Sequence, residues 1–212
     1  MDPLSGASHD DWSARHSVRA VARRTAALVN ALVVEEPSVA RISDVLRAHG
    51  ETESASPASP SALSALSGPS VLASLSELDV AEMRTIALQL REVFAADGVD
   101  EAARLLNALL ARSTGTLRLT SHHGDSPWHP HLDSHDDAPW GEWLLASSCL
   151  ALTVLVWDRQ RPPGGVCASP SCRNVFLTEG GGPVRRYCSR RCATRERVAA
   201  HRRTKNPPEP TG

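Results

Sequence analysis

Cys167-Ala-Ser-Pro-Ser-Cys172, then fifteen intervening residues, then Cys188-Ser-Arg-Arg-Cys192: this stretch decides how the chain is to be read. Two close cysteine pairs supply four thiolates, the number and donor type that a structural zinc ion takes in a tetrahedron. Ala168-Ser169-Pro170-Ser171 supplies turn chemistry between the first pair. The second pair, at i and i+4, shares the first turn of a helix predicted over 189–203. Residues 175–177 and 185–187 read as two short strands paired between the knuckles, with Gly180-Gly181-Gly182-Pro183 as their tip. The predicted module is a treble-clef-like zinc finger. Four thiolates close the coordination sphere, so the ion is structural rather than catalytic. The module's larger nonpolar groups are Val175, Phe176, Leu177, Val184, Tyr187 and Val198. That is too small a core for a module of about 40 residues. Metal binding therefore supplies much of its folding free energy, which reaches about 10–16 kcal/mol for structural zinc. Two disulfides are the alternative and need an oxidising compartment.

The surroundings of the cysteines are basic. Residues 159–205 hold twelve Lys/Arg and two acids, Glu179 and Glu196, a net charge of +10, whereas residues 1–158 hold eleven Lys/Arg and twenty-one acids, a net charge of −10. Opposed halves of this kind fit a nucleic-acid-binding segment on an acidic body; the bland alternative is docking of the segment on that body. At 100° per residue Arg191, Arg195 and Arg202 share one helix face, and Arg190, Arg197 and His201 form a second ridge. No wide apolar stripe interrupts them, so the helix is not built to bury itself. Arg185, Arg186, Arg190, Arg191, Arg195, Arg197, Arg202 and Arg203 are the candidate DNA-contacting residues, gripping phosphates or reading guanine edges, with duplex DNA as the expected partner. A solvated basic helix is the alternative.

Cys167-Ala-Ser-Pro-Ser-Cys172-Arg-Asn-Val-Phe176, followed by Arg185-Arg-Tyr-Cys188-Ser and Cys192-x-x-Arg195, resembles the CGNR zinc finger. That finger closes ABATE-domain proteins, regarded as stress-induced transcription regulators in bacteria. The resemblance covers about 166–203 and extends more loosely over the body, through Ala27-Leu-Val-Asn30 and the helix from Trp140. It implies Cys167, Cys172, Cys188 and Cys192 as ligands of one structural zinc ion. The signature Cys-Gly-Asn-Arg stands here as Cys192-Ala193-Thr194-Arg195, which keeps the ligand and the arginine and loses the Gly-Asn pair.

The body, residues 1–160, reads as mainly α with one small β-hairpin; residues 161–205 form the finger with its basic helix, and 206–212 a disordered tail. A first helix spans 12–34, with Val18, Val21, Leu28, Val29 and Leu32 apolar and Arg15, Arg19, Arg23 and Arg24 on its surface. A second spans 38–49. Ser, Ala and Pro crowd 51–69, an exposed loop. Ser76-x-x-Asp79 caps a third helix to Phe94, on which Met83, Ile86, Leu90 and Val93 make one stripe. After Gly98 a fourth helix, 100–112, buries Leu105, Leu106, Leu109 and Leu110; this leucine density favours a buried helical hairpin over a helix-turn-helix. Residues 115–119 alternate as a strand, with 128–132 as hairpin partner. Pro139 opens a nearly all-apolar helix over 140–157, central to the core; its most apolar stretch, 144–157, is too short to span a bilayer. Cys149 in it is a small buried hydrophobe. Pro162-Pro163-Gly164-Gly165 separates body from finger.

Histidines cluster as His122-His123, His129-Pro-His131 and His135, beside Trp128 and Asp133. His122, His123, Trp128, His129 and His131 are the candidate effector site, for a small molecule or a metal; a polar loop packing on the body is the alternative. The body is thus the sensing and dimerisation unit, with a homodimer as the assembled form. No Ser-His-Asp arrangement, phosphate loop or His-Glu-x-x-His motif points to an enzyme. Asp10, Asp11 and Arg15 stand where the apolar core of a secretory signal would lie, and a cytoplasmic, reducing location is expected. The function expected is a DNA-binding transcriptional regulator; an adaptor whose finger binds protein or RNA is the second reading.

Overall fold

A computed structural model describes residues 17–33, 36–51, 75–113, 115–121, 128–136, 138–178, 180 and 185–205. Residues 52–69 of the Ser/Pro/Ala loop, His122, His123 and the 206–212 tail lie outside the described residues. The described elements are α1 (Val18–Leu32), α2 (Val39–Ala48), α3 (Glu77–Ala95), α4 (Val99–Leu110), β1 (Arg118–Thr120), β2 (His129–His131), α5 (Trp140–Arg159), β3 (Gly164–Val166), β4 (Val175–Leu177) and α6 (Arg190–Lys205). The protein is mostly helical, with two small antiparallel strand pairs, β1–β2 and β3–β4.

Local chemistry sets the helix ends. Ser17 accepts a hydrogen bond from the Ala20 amide and begins α1 at Val18; residues 12–16 of the expected first helix lie outside the described residues. Ser76 and Asp79 form the expected reciprocal capping box at the start of α3. The α3 stripe turns inward, with Met83, Leu90 and Val93 fully buried, and α4 adds Ala102, Leu106 and Leu109. Together they form a helical hairpin packed on α5.

α5 is the core. It contacts α1, α3 and α4, and twelve of its residues are buried, from Trp140 to Val156. The helix runs to Arg159, beyond the expected end at Trp157, because Gln160 adopts a left-handed conformation (φ 50°) and its amide closes on Val156 O at 2.8 Å. Its 20 residues are long and apolar enough to cross a bilayer, but two-thirds of that stretch is buried inside the protein. Protein, rather than lipid, covers it.

The structure overturns two expectations from the sequence. Arg24 is not on the surface of α1. It is 6% exposed, is ion-paired with buried Glu51, and lies 4.3 Å over the Trp143 ring. A buried cation requires such partners. Burial lowers its pKa to about 9, so it stays charged at neutral pH.

The second correction concerns the finger. β4 pairs with β3, not with 185–187, in the register Gly164↔Leu177, Gly165↔Phe176, Val166↔Val175. The expected separator therefore supplies a strand. A Cβ on Gly164 would lie 1.8 Å from Phe176 O, so only glycine permits this approach. The opposite edge of β4 is already occupied. Val175 donates its N–H to Asn30 Oδ1 (2.7 Å), and its C=O accepts from Asn30 Nδ2 (3.0 Å). Residues 185–187 make a single backbone bond to the first knuckle instead, Ala168 N–H to Arg186 O at 2.9 Å. Val175 and Leu177 join the main core, so the finger is rooted in the body through α1 and α3.

Candidate metal centre and nucleic-acid interface

The first two cysteines lie in the loop of the β3–β4 hairpin. Cys167 N–H bonds to Asn174 O at 2.8 Å, and Cys172 N–H to Ser169 O at 2.9 Å, folding the loop into a knuckle. Cys188 lies two residues before α6, and Cys192 sits in its first turn. There Ser189 Oγ accepts from the Cys192 amide at 3.2 Å, the bond expected of a helix cap.

These local folds bring the four sulfurs within 4.8 Å of one another, with Cys172–Cys188 and Cys188–Cys192 each at 3.6 Å. Zn–S bonds of about 2.3 Å in a tetrahedron place sulfurs about 3.8 Å apart. The donor set, spacing and burial thus fit one structural zinc ion. Hydrogen bonding with Ser189, then with Cys188, Cys172 and Cys167, draws Cys192 down to about 7. Desolvation, then hydrogen bonding with Cys172, Cys192 and Cys167, pushes Cys188 up to about 12. The metal must therefore displace protons as it binds.

A second layer supports the sulfurs. The Cys188 amide points at Cys167 Sγ (3.4 Å), and Arg195 Nη2 at Cys192 Sγ (3.5 Å). Arg195 Nη2 also donates to Ser169 Oγ at 2.7 Å, and Ser169 Oγ donates to Glu196 Oε1 at 2.6 Å. Four thiolates on Zn²⁺ carry a net charge of −2, which the Arg195 guanidinium offsets.

The eight arginines considered for DNA fall into two groups. Arg185 donates to the carbonyls of Tyr187 and Cys188 and lies 5.2 Å from the Phe176 ring centroid, so with Arg195 it is committed to the finger's own structure. Arg190, Arg191, Arg197, Arg202 and Arg203 are exposed on α6 and have no ion-pair partner among the described residues. Arg186 is exposed beside them, 5.9 Å over the Tyr187 ring. Of α6, only Cys192 is buried.

In the body the expected hairpin forms, with Arg118↔His131, Leu119↔Pro130 and Thr120↔His129. His129 and His131 meet with Nε2 atoms 3.0 Å apart, and His131 Nδ1 lies 2.8 Å from Asp133 Oδ1. Arg118 braces the cluster through Asp133 (2.8 Å) and Asp136 (2.7 Å). Trp128 is 71% exposed and stands apart from them. Sequence reasoning missed Asn30, Ser169 and the Arg24–Glu51 pair. For Asn30 and Arg24 the one visible signal was a polar residue amid the apolar positions of α1; Ser169 and Glu51 carry none.

Residues 35–158, more than half of the chain, match the ABATE family, described as "Putative stress-induced transcription regulator". Residues 165–205 match the CGNR zinc finger. No curated protein matches the chain. Neither family description names a catalytic activity.

Proposed function

We propose that this chain, which belongs to the ABATE family and ends in a CGNR zinc finger, is a cytoplasmic regulator that binds duplex DNA through α6. The supporting observation is the set of exposed arginines on a helix whose first turn carries a zinc ligand. Because Cys192 lies in that turn, the metal sets the orientation of α6. Arg190, Arg191, Arg197, Arg202 and Arg203, with Arg186 at the flank, are the contacting residues in this reading. Arg185 and Arg195 act indirectly, by holding the finger. The acidic body carries sensing and dimerisation.

The test is a salt titration of duplex binding. Each phosphate neutralised contributes about 0.9 to the slope of log affinity against log salt, so replacing all five α6 arginines by glutamine should flatten it by about 4.5. Arg195→Gln should instead lower zinc retention first and DNA affinity as a consequence. Duplex affinity unchanged in the five-fold variant would overturn the proposal. Tighter binding to a matched RNA than to the duplex would favour the adaptor reading.

A further inference from the structure

β2 carries a histidine pair that the finger does not use. His129 and His131 stand two residues apart, so their side chains leave the same face of the strand. Their Nε2 atoms lie 3.0 Å apart. Behind them, Asp133 Oδ1 lies 2.8 Å from His131 Nδ1. A carboxylate only accepts, so His131 carries a proton on Nδ1 and turns Nε2 toward His129. One proton then lies between the two facing Nε2 atoms. A carboxylate that takes Nδ1–H and leaves Nε2 forward is the support that metal-bound histidines carry.

The spacing suits an ion. Two nitrogens about 2.1 Å from one ion and at right angles stand about 3.0 Å apart, whereas tetrahedral positions put them about 3.4 Å apart. Right angles belong to the square-planar and tetragonal arrangements that nickel and copper ions take with nitrogen and oxygen donors. Both rings line a cavity of about 120 Å³ between α1, α5 and β2. At about 30 Å³ for each water, it has room for the few that would fill an ion's remaining positions.

Charge also favours a cation. Arg24 lines the same cavity but is paired with Glu51. Arg118 faces two carboxylates, Asp133 and Asp136. Two guanidinium groups thus stand against three carboxylates, and one negative charge is left over. The lining from α5, which includes Trp143, Leu150 and Val154, carries no charge.

We infer that His129 and His131 bind one divalent transition-metal ion through their Nε2 atoms, at right-angle positions, with water from the cavity completing the coordination. The ion takes the place of the proton between the rings. Asp133 is a positioning residue that keeps His131 Nε2 turned toward the ion. Two protein ligands rather than four make this a weaker and more reversible site than the cysteine cluster. It gives the body's proposed sensing role a ligand class. That consequence rests on reading the chain as a DNA-binding regulator; the binding itself does not.

The test titrates the full zinc-loaded chain, without an affinity tag and without DNA, with Ni²⁺. Calorimetry should show one Ni²⁺ bound saturably per chain, with the zinc content unchanged. In proton spectra Ni²⁺ should broaden the ring signals of His129 and His131 before those of any other histidine. His129→Ala and His131→Ala should each weaken binding by about 100-fold, and Asp133→Asn by about tenfold, with His129 still the first ring to broaden. If His131→Ala, which removes a buried ring, does not fold, His129→Ala carries the test. No saturable Ni²⁺ binding, uptake matched by zinc release, undiminished affinity in His129→Ala, or broadening that begins at other histidines would each overturn the inference. Unchanged affinity in Asp133→Asn would overturn the positioning role. Failure of duplex binding in the separate salt titration would leave the site standing.

Discussion

Arg24 illustrates how much one residue's surroundings change its meaning. In a helix rich in arginine it reads as surface charge, yet it is buried against Glu51 and Trp143. Removing one member of a buried pair leaves the other uncompensated. Arg24→Met should therefore cost about 3–5 kcal/mol in urea unfolding, and the double variant with Glu51→Leu should recover most of it. An equal loss in single and double variants would show that the pair is not the source. Cysteine reactivity gives a second check at this scale. Cys149 is fully buried, and desolvation pushes its thiol up to about 12. In the zinc-loaded protein no thiol should react readily with a disulfide reagent. A strong chelator should release four, and Cys149 should appear only with denaturant.

At the scale of elements, periodicity was a good guide to the helices and a poor one to the finger's strands. α3, α4 and α5 bury one stripe or nearly all faces, and their apolar spacing says so directly. A three-residue strand carries too little pattern to name its partner. The close approach of Gly164 to Phe176 O decides the hairpin, together with the capture of the other edge of β4 by Asn30. Gly164→Ala should strain the β3–β4 pair by about 2–3 kcal/mol. Because finger folding and metal binding are coupled, zinc affinity in chelator competition should fall about 30- to 160-fold. Unchanged zinc affinity would show that the hairpin tolerates a Cβ by shifting.

At the scale of the whole molecule, the finger is continuous with the body. Val175 and Leu177 share the main core, and Asn30 spans 145 residues of sequence to hold both backbone groups of Val175. Asn30→Ala should leave those groups unpaired, costing about 2 kcal/mol. Amide exchange at Val175 should accelerate while exchange in α3 and α4 stays slow. Uniform acceleration across all helices would mean that finger and body unfold as one unit.

The sequence alone determined what depends on local spacing. Four cysteines in two close pairs prescribe a tetrahedral metal site, the capping box and apolar stripes prescribe the helices, and the run of arginines after Cys192 prescribes a basic helix. Each of these signals lies within a turn or two of chain, or rests on donor chemistry that few residue types supply. Only the tertiary structure decided which arginines are spent on the protein itself, which strand β4 pairs with, and where α1 and α5 leave space beside β2. Those outcomes join Arg24 to Glu51, Asn30 to Val175 and Arg195 to Ser169, side chains brought together by packing across 26 to 145 positions.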